Sequence, residues 1–107
     1  MTPEGKIKHA INKVLDKYKG LYKFMPVPGG LGPSSLDYIL CVNGTFVAIE
    51  AKAPGKKPTQ RQRFIMGQIE RAGGIVFLID SAEMLHNSPL SNLNSCIRRL
   101  QHEPDTN

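Results

Sequence analysis

Apolar residues near the start of the chain recur at the three- and four-residue spacing of an amphipathic helix. They are Ile7, Ala10, Ile11, Val14, Leu15 and Tyr18. Thr2 suits the N-cap of this helix and Pro3 its first position, while Gly20 is a residue type that often ends a helix. The pattern therefore predicts a helix that begins at about residue 3 and closes at Gly20, with lysines on its outer side.

Two runs rich in strand-forming residues follow, Leu36 to Val42 and Thr45 to Ala51. The Asn43-Gly44 dipeptide between them is typical of a two-residue type I′ hairpin turn. The register that such a turn imposes places Asp37 directly opposite Glu50. Both faces of the hairpin are mainly apolar, so we expect helices to cover both sides of the sheet.

The next segment has the pattern of a helix followed by a buried strand. Thr59 and Gln62 have the spacing of a capping box, and the helix that they open is expected to end at Gly73. The continuous apolar run at residues 75–79 predicts a strand parallel to the one at residues 45–51, because a helix connects the two.

The complete pattern predicts an α/β fold with a small mixed sheet of about four strands flanked by helices. A short strand is expected within residues 21–27, which gives the element order α-β-β-β-α-β. The apolar stripe from Leu90 to Leu100 adds an extra C-terminal helix, which can pack on the core or on a partner. The glycine-rich stretch at residues 28–33 is expected to be a connecting loop.

Length and composition agree with one small basic domain over residues 1–107. The chain has 14 Lys and Arg against 9 Asp and Glu, a net charge of +5, which favours a polyanionic partner such as nucleic acid. We expect the core at about residues 2–80, a helical extension at 81–101 and a polar tail at 102–107. The sequence indicates no membrane span, no export signal and no paired-cysteine framework, so a cytoplasmic location is expected.

The two carboxylates that the hairpin register brings together are the main chemical signal. Like charges opposite each other destabilise a sheet unless a cation or a shifted pKa relieves them. Oxygen ligands without a nearby Cys or His pair favour Mg²⁺, for which Mn²⁺ can substitute. Lys52 projects from the same face as Glu50, so an ammonium lies beside the expected metal. Such a set suits hydrolysis of a phosphodiester bond.

In this order these residues resemble the PD-(D/E)XK nuclease superfamily, and within it the VRR-NUC branch. The resemblance covers about residues 2–80 and includes a glycine-rich approach to an aspartate, a Glu-x-Lys strand, a Ser/Thr-x-x-Gln helix start and a glycine before an apolar strand. Here these are Gly29-Gly30-Leu31-Gly32, Asp37, Glu50-Ala51-Lys52, Thr59-Gln60-Arg61-Gln62 and Gly73. Leu36 stands where the superfamily name expects proline.

The resemblance implies a restriction-endonuclease-like core and a role for each matching residue. Asp37, Glu50 and the Ala51 carbonyl would bind the metal, and Lys52 would be the catalytic lysine. Gln62 would lie beside the site, and Glu4 would join through a second metal or a water molecule. Small stand-alone members of this branch, from phages and bacteria, are similar to Holliday-junction resolvases in being homodimers. The resemblance therefore implies a homodimer that cuts branched DNA with no small-molecule cofactor.

Other interpretations of these residues stay open at this point. Gln62 is equally explained by the capping box, and Glu4 by the helix dipole. The basic residues next to the site can bind phosphates or simply face solvent: Lys56, Lys57, Arg61 and Arg63. A nucleic-acid-binding module that does not cut, or a nuclease subunit of a larger repair or restriction assembly, are the alternative functions.

Overall fold

A computed structural model describes residues 1–27 and 35–103 of the chain. The described elements are α1 (Pro3–Leu15), β1 (Tyr22–Phe24), β2 (Tyr38–Val42), β3 (Thr45–Ala51), α2 (Gln60–Arg71), β4 (Ile75–Ile79) and α3 (Pro89–His102). The predicted α/β class, with a mixed sheet flanked by helices, is confirmed. The expected glycine-rich loop at 28–33 and most of the expected polar tail lie outside the described residues.

Helix α1 begins as the sequence predicts and ends earlier. The Thr2 hydroxyl accepts a hydrogen bond from the Gly5 N–H at 3.0 Å and caps the helix. The helix ends at Leu15, so the expectation that it continues to Gly20 is wrong. Beyond its end, the Tyr18 hydroxyl donates to Asn94 of α3. Gly20, at φ 84°, belongs to the turn before β1 rather than to the helix cap.

The four described strands lie in the order β1-β2-β3-β4. Strands β2 and β3 form the predicted hairpin, with Val42 opposite Thr45 and Tyr38 opposite Ile49. Strand β2 begins at Tyr38 rather than at Leu36, so Asp37 lies just before the paired residues. Asn43 and Gly44 have φ values of 49° and 85°, which a type I′ turn requires. Strand β4 is parallel to β3, as predicted, and α2 connects the two. The turn residues therefore fix the register on which the site depends.

One face of the sheet carries the hydrophobic core. The fully buried side chains from the hairpin and the last strand are Tyr38, Leu40, Val42, Val47, Ile49, Ala51 and Ile79. Helices α1 and α3 pack on this face and contribute Ile7, Ile11, Leu93 and Ile97, among others. The stripe from Leu90 to Leu100 thus packs on the core of its own chain. The turn supports this packing, because the Asn43 side chain donates to the Leu100 carbonyl at 3.0 Å.

Among the described residues, the opposite face of the sheet, which we call the open sheet face, is only partly covered. Tyr22 is 65% exposed and Phe46 is 43% exposed, and Phe24 and Cys41 on the same face are also exposed. Helix α2 lies against β4, and none of its residues, all of which are described, is fully buried. Within residues 1–27 and 35–103, no helix covers the β1–β2 side of this face, because α2 packs against β4, so the expectation that helices cover both faces is not met there.

Among the described residues, no helix is long and apolar enough to cross a membrane. The two cysteines are free thiols, Cys41 exposed and Cys96 buried.

Candidate active site

Asp37 and Glu50 lie together at the end of the hairpin that is remote from its turn. The Asp37 Oδ2 atom accepts a hydrogen bond from the Ala51 N–H at 2.8 Å. The Glu50 Oε1 atom accepts one from the Asp37 N–H at 3.3 Å. Each carboxylate is thus bonded to the main chain beside the other, which locks the predicted juxtaposition into the hairpin itself.

The buried member of this pair is Glu50. Glu50 is only 3% exposed, whereas the Asp37 side chain is 25% exposed. The two acids differ because Asp37 stands just before β2, while Glu50 lies inside β3 with a strand on each side. Burial, together with the negative charge of Asp37, raises the pKa of Glu50 to about 7, although the Lys52 ammonium acts to lower it.

Lys52 and Gln62 both approach the same oxygen of Glu50. The Lys52 Nζ atom lies 3.6 Å from Glu50 Oε2, and the Gln62 side-chain amide donates to that oxygen at 2.8 Å. The Lys52 side chain is largely buried. An ammonium and an amide donor therefore share one oxygen of a carboxylate that is nearly removed from solvent.

The orientation of Gln62 follows from the cap of α2. The Gln62 Oε1 atom accepts from the Thr59 N–H at 2.9 Å, and the Gln62 N–H donates to the Thr59 hydroxyl at 3.1 Å. This is the predicted capping box, and it leaves the Gln62 amide nitrogen pointing at Glu50. Capping and a place at the site are therefore compatible for this residue, since each uses a different atom of its amide.

The first helix contributes Glu4 and a residue that the sequence analysis missed, Lys8. The Lys8 Nζ atom lies 3.6 Å from Glu4 Oε2 and 3.6 Å from Asp37 Oδ1. The four-residue spacing of Glu4 and Lys8 was a signal that could have paired them. That the ammonium also reaches Asp37 depends on how α1 lies on the sheet.

The position of α1 over the site is fixed from the core. The Tyr38 hydroxyl donates to the main-chain carbonyl of Lys8 at 3.2 Å, and Tyr38 is fully buried. Burial, with a smaller contribution from Asp37, raises the pKa of Tyr38 to about 12, so the hydroxyl remains a hydrogen-bond donor at physiological pH. Tyr38 directly follows Asp37 in the chain, and its hydrogen bond thus connects α1 to the start of β2.

The predicted basic residues are all on the surface. Exposed side chains near the end of β3 and the start of α2 are Lys56, Lys57, Arg61 and Arg63. They follow Lys52 along the chain and lie on the loop and helix that carry Gln62. The three histidines, His9, His86 and His102, are exposed, as expected for surface residues.

The donor chemistry of the site fits a hard divalent cation. Asp37 and Glu50 offer carboxylate oxygens, which Mg²⁺ and Mn²⁺ prefer. Within residues 1–27 and 35–103, no three Asp, Glu, His or Cys side chains converge into one group. A metal held here would therefore take its other ligands from solvent and from a main-chain oxygen, for which the Ala51 carbonyl is the expected donor.

A pair of variants separates the two roles of Gln62. We expect Thr59→Ala and Gln62→Ala each to lower the free energy of unfolding by about 1 kcal/mol, because each breaks the capping box. Only Gln62→Ala removes the donor to Glu50, and we expect it to slow the DNA cleavage that the family resemblance implies by about tenfold or more. Thermal melts and cleavage rates of both variants would test this. Equal cleavage rates for the two variants would reduce Gln62 to a capping residue.

Comparison with known proteins does not assign this chain to a family. The chain matches no protein-family model, and no curated protein matches it significantly. The resemblance to the VRR-NUC branch therefore depends on the residues and their order, and the function is argued from the site.

Proposed function

We propose that this protein is a metal-dependent DNA endonuclease that hydrolyses phosphodiester bonds. The observation that carries the proposal is the buried Glu50 carboxylate, held beside Asp37 and contacted by the Lys52 ammonium. Burying an acid next to another acid destabilises a fold, so an ordinary structural role does not explain the pair. A nuclease site does, because a divalent cation satisfies both carboxylates at once.

Each residue has a distinct part in the proposed reaction. Asp37 and Glu50, with the Ala51 carbonyl, would hold Mg²⁺, which when bound supplies Lewis-acid activation of the phosphate and of a water molecule. The Lys52 ammonium stabilises the negative charge that develops on the phosphoryl oxygens, and it orients the attacking water. Gln62 holds the Glu50 carboxylate in place. Glu4 lies on the far side of Lys8 and joins the site through solvent or a second cation.

The surrounding surface supports a DNA substrate. Four exposed basic side chains follow the site along the chain, at positions 56, 57, 61 and 63, and they can bind phosphates of the DNA backbone. With its mixed sheet and flanking helices, the fold suits the proposed restriction-endonuclease-like core. The proposed location is the cytoplasm of a bacterium or of a phage-infected host, where DNA is available as a substrate.

We further propose branched DNA as the substrate and a homodimer as the acting form. One chain carries one Asp37–Glu50–Lys52 site, whereas symmetric resolution of a four-way junction needs two cuts. The open sheet face offers a second copy an uncharged aromatic surface, formed by Tyr22, Phe24 and Phe46 together with Cys41. Such a surface suits a protein partner better than a phosphate backbone.

The proposal is tested by incubating the purified protein with a labelled four-way junction, a flap, a linear duplex and single-stranded DNA. We expect cutting with Mg²⁺ or Mn²⁺, none with EDTA, and paired symmetric cuts in the junction. Sedimentation of the protein alone would show whether it is a dimer. Binding of the junction without cutting in the presence of any metal would contradict the proposed endonuclease activity and would favour the alternative, a nucleic-acid-binding module that does not cut. Cutting that requires added partner proteins would indicate a subunit of a larger assembly.

A further inference from the structure

The position of Lys8 gives it a role that the family resemblance does not assign. Its ammonium lies between two carboxylates that belong to different elements, 3.6 Å from Glu4 Oε2 in α1 and 3.6 Å from Asp37 Oδ1 before β2. The Lys8 side chain is 33% exposed, so this is a partly shielded contact rather than a fully solvated surface pair. The ammonium thus stands at the edge of the proposed metal site.

The core fixes this position. Ile7 and Ile11, on either side of Lys8 in α1, are fully buried, and the Tyr38 hydroxyl bonds to the Lys8 carbonyl at 3.2 Å. Because Tyr38 follows Asp37 directly in the chain, the same residue orients the helix and the strand end. The approach of Lys8 to Asp37 is therefore set by packing and not by the side chain alone.

The two oxygens of Asp37 are differently engaged. The Oδ2 atom accepts the short bond from the Ala51 N–H, at 2.8 Å, whereas Oδ1 faces the Lys8 ammonium. Oδ1 therefore has no main-chain bond among the described residues, and a cation that approaches it does not compete with the Ala51 N–H. Such a cation would meet the positive charge of the Lys8 ammonium, and the two like charges would repel each other.

We propose that Lys8 is a positioning residue that holds Glu4 and Asp37 together in the metal-free site and yields Asp37 when the metal binds. This inference rests on the proposed metal-dependent function. The ammonium neutralises carboxylates that would otherwise repel each other, and it competes with the divalent cation for Asp37. Lys8 thereby sets the metal concentration at which the site fills.

Metal binding without DNA provides a readout independent of cleavage. Mn²⁺ is titrated into the protein, and free Mn²⁺ is followed by electron paramagnetic resonance. We expect Lys8→Met to bind Mn²⁺ about five- to tenfold more tightly than the wild type, because the competing charge is gone. Lys8→Arg keeps a cation and should stay within about twofold of the wild type. Lys6→Met, which removes an exposed lysine from the same helix, is the matched control and should leave the affinity unchanged.

Each other outcome has a definite meaning. Unchanged or weaker Mn²⁺ binding in Lys8→Met, with binding in the wild type that Asp37→Asn abolishes, overturns the role of Lys8 and leaves the proposed nuclease intact. A comparable gain in Lys6→Met also overturns it, because the effect would then be one of net charge. No Mn²⁺ binding by the wild type overturns both the role and the proposed metal site. Thermal melts in EDTA confirm that each variant is folded.

Discussion

Asp37→Asn and Lys52→Met are each expected to reduce the proposed Mg²⁺-dependent DNA cleavage by about 1000-fold while the protein stays folded. The asparagine has the shape of the aspartate, and its side-chain oxygen can still accept the hydrogen bond from the Ala51 N–H. What it loses is the negative charge that would hold the metal in the proposed site. Lys52→Met keeps most of the side-chain length and removes the positive charge that, in the proposed mechanism, stabilises the reacting phosphate.

These variants have matched controls elsewhere on the protein. Asp16→Asn and Lys17→Met change the same residue types at exposed positions after α1. We expect both controls to cleave at the wild-type rate. Single-turnover cleavage rates of all four variants, with thermal melts to confirm folding, would make the comparison. A rate within fivefold of the wild type for either site variant would remove that residue from the mechanism.

Glu50→Gln is expected to abolish the pH dependence of stability that Glu50 causes in the metal-free protein. The folded-state pKa of Glu50 is raised to about 7 from an ordinary value of 4.5. The folded protein therefore holds this proton more tightly than the unfolded chain does. The stability linked to it is complete below pH 4.5 and is lost as the pH rises to about 7. The loss amounts to about 3 kcal/mol.

Chemical denaturation in EDTA at pH 4.5, 6 and 8 would measure this effect. The free energy of unfolding of the wild type should fall with pH more than that of Glu50→Gln, and the two curves should separate between pH 4.5 and 7. Glu70→Gln, an exposed glutamate in α2, should follow the wild type. Parallel curves for the wild type and Glu50→Gln would show that Glu50 has no unusual proton affinity.

Saturating Mg²⁺ should reverse the high-pH loss in the wild type and not in Glu50→Gln. A ligand that binds only the folded state adds to its stability, and Mg²⁺ binds the ionised carboxylate. The difference between the two proteins in Mg²⁺ and in EDTA at pH 8 therefore reports metal binding at this residue. Stabilisation of Glu50→Gln equal to that of the wild type would place the metal elsewhere.

The sequence alone determined the local geometry of the site. Asn43 and Gly44 adopt the positive φ values of a type I′ turn, and once that turn forms, the strand pairs from Val42–Thr45 to Tyr38–Ile49 follow from it. Asp37 and Glu50 stand at the next position beyond the last pair, where hydrogen bonds join them. The capping box of Thr59 and Gln62 was predictable for the same reason, because both partners lie within one helical turn. Residues that are close in the chain can interact in only a few local conformations, so these features are predictable from the sequence.

Only the tertiary structure decided which acid is buried, which lysine meets Asp37 and which face of the sheet is covered. Glu50 is buried because β4 flanks β3, and Lys8 reaches Asp37 because Tyr38 and the core set the position of α1. The exposed aromatics of the open sheet face result from the path of α2 over β4. Each depends on how elements distant in the chain pack together. Hydrophobic periodicity indicates that an element has an apolar face, but it does not specify where along the sheet that face docks.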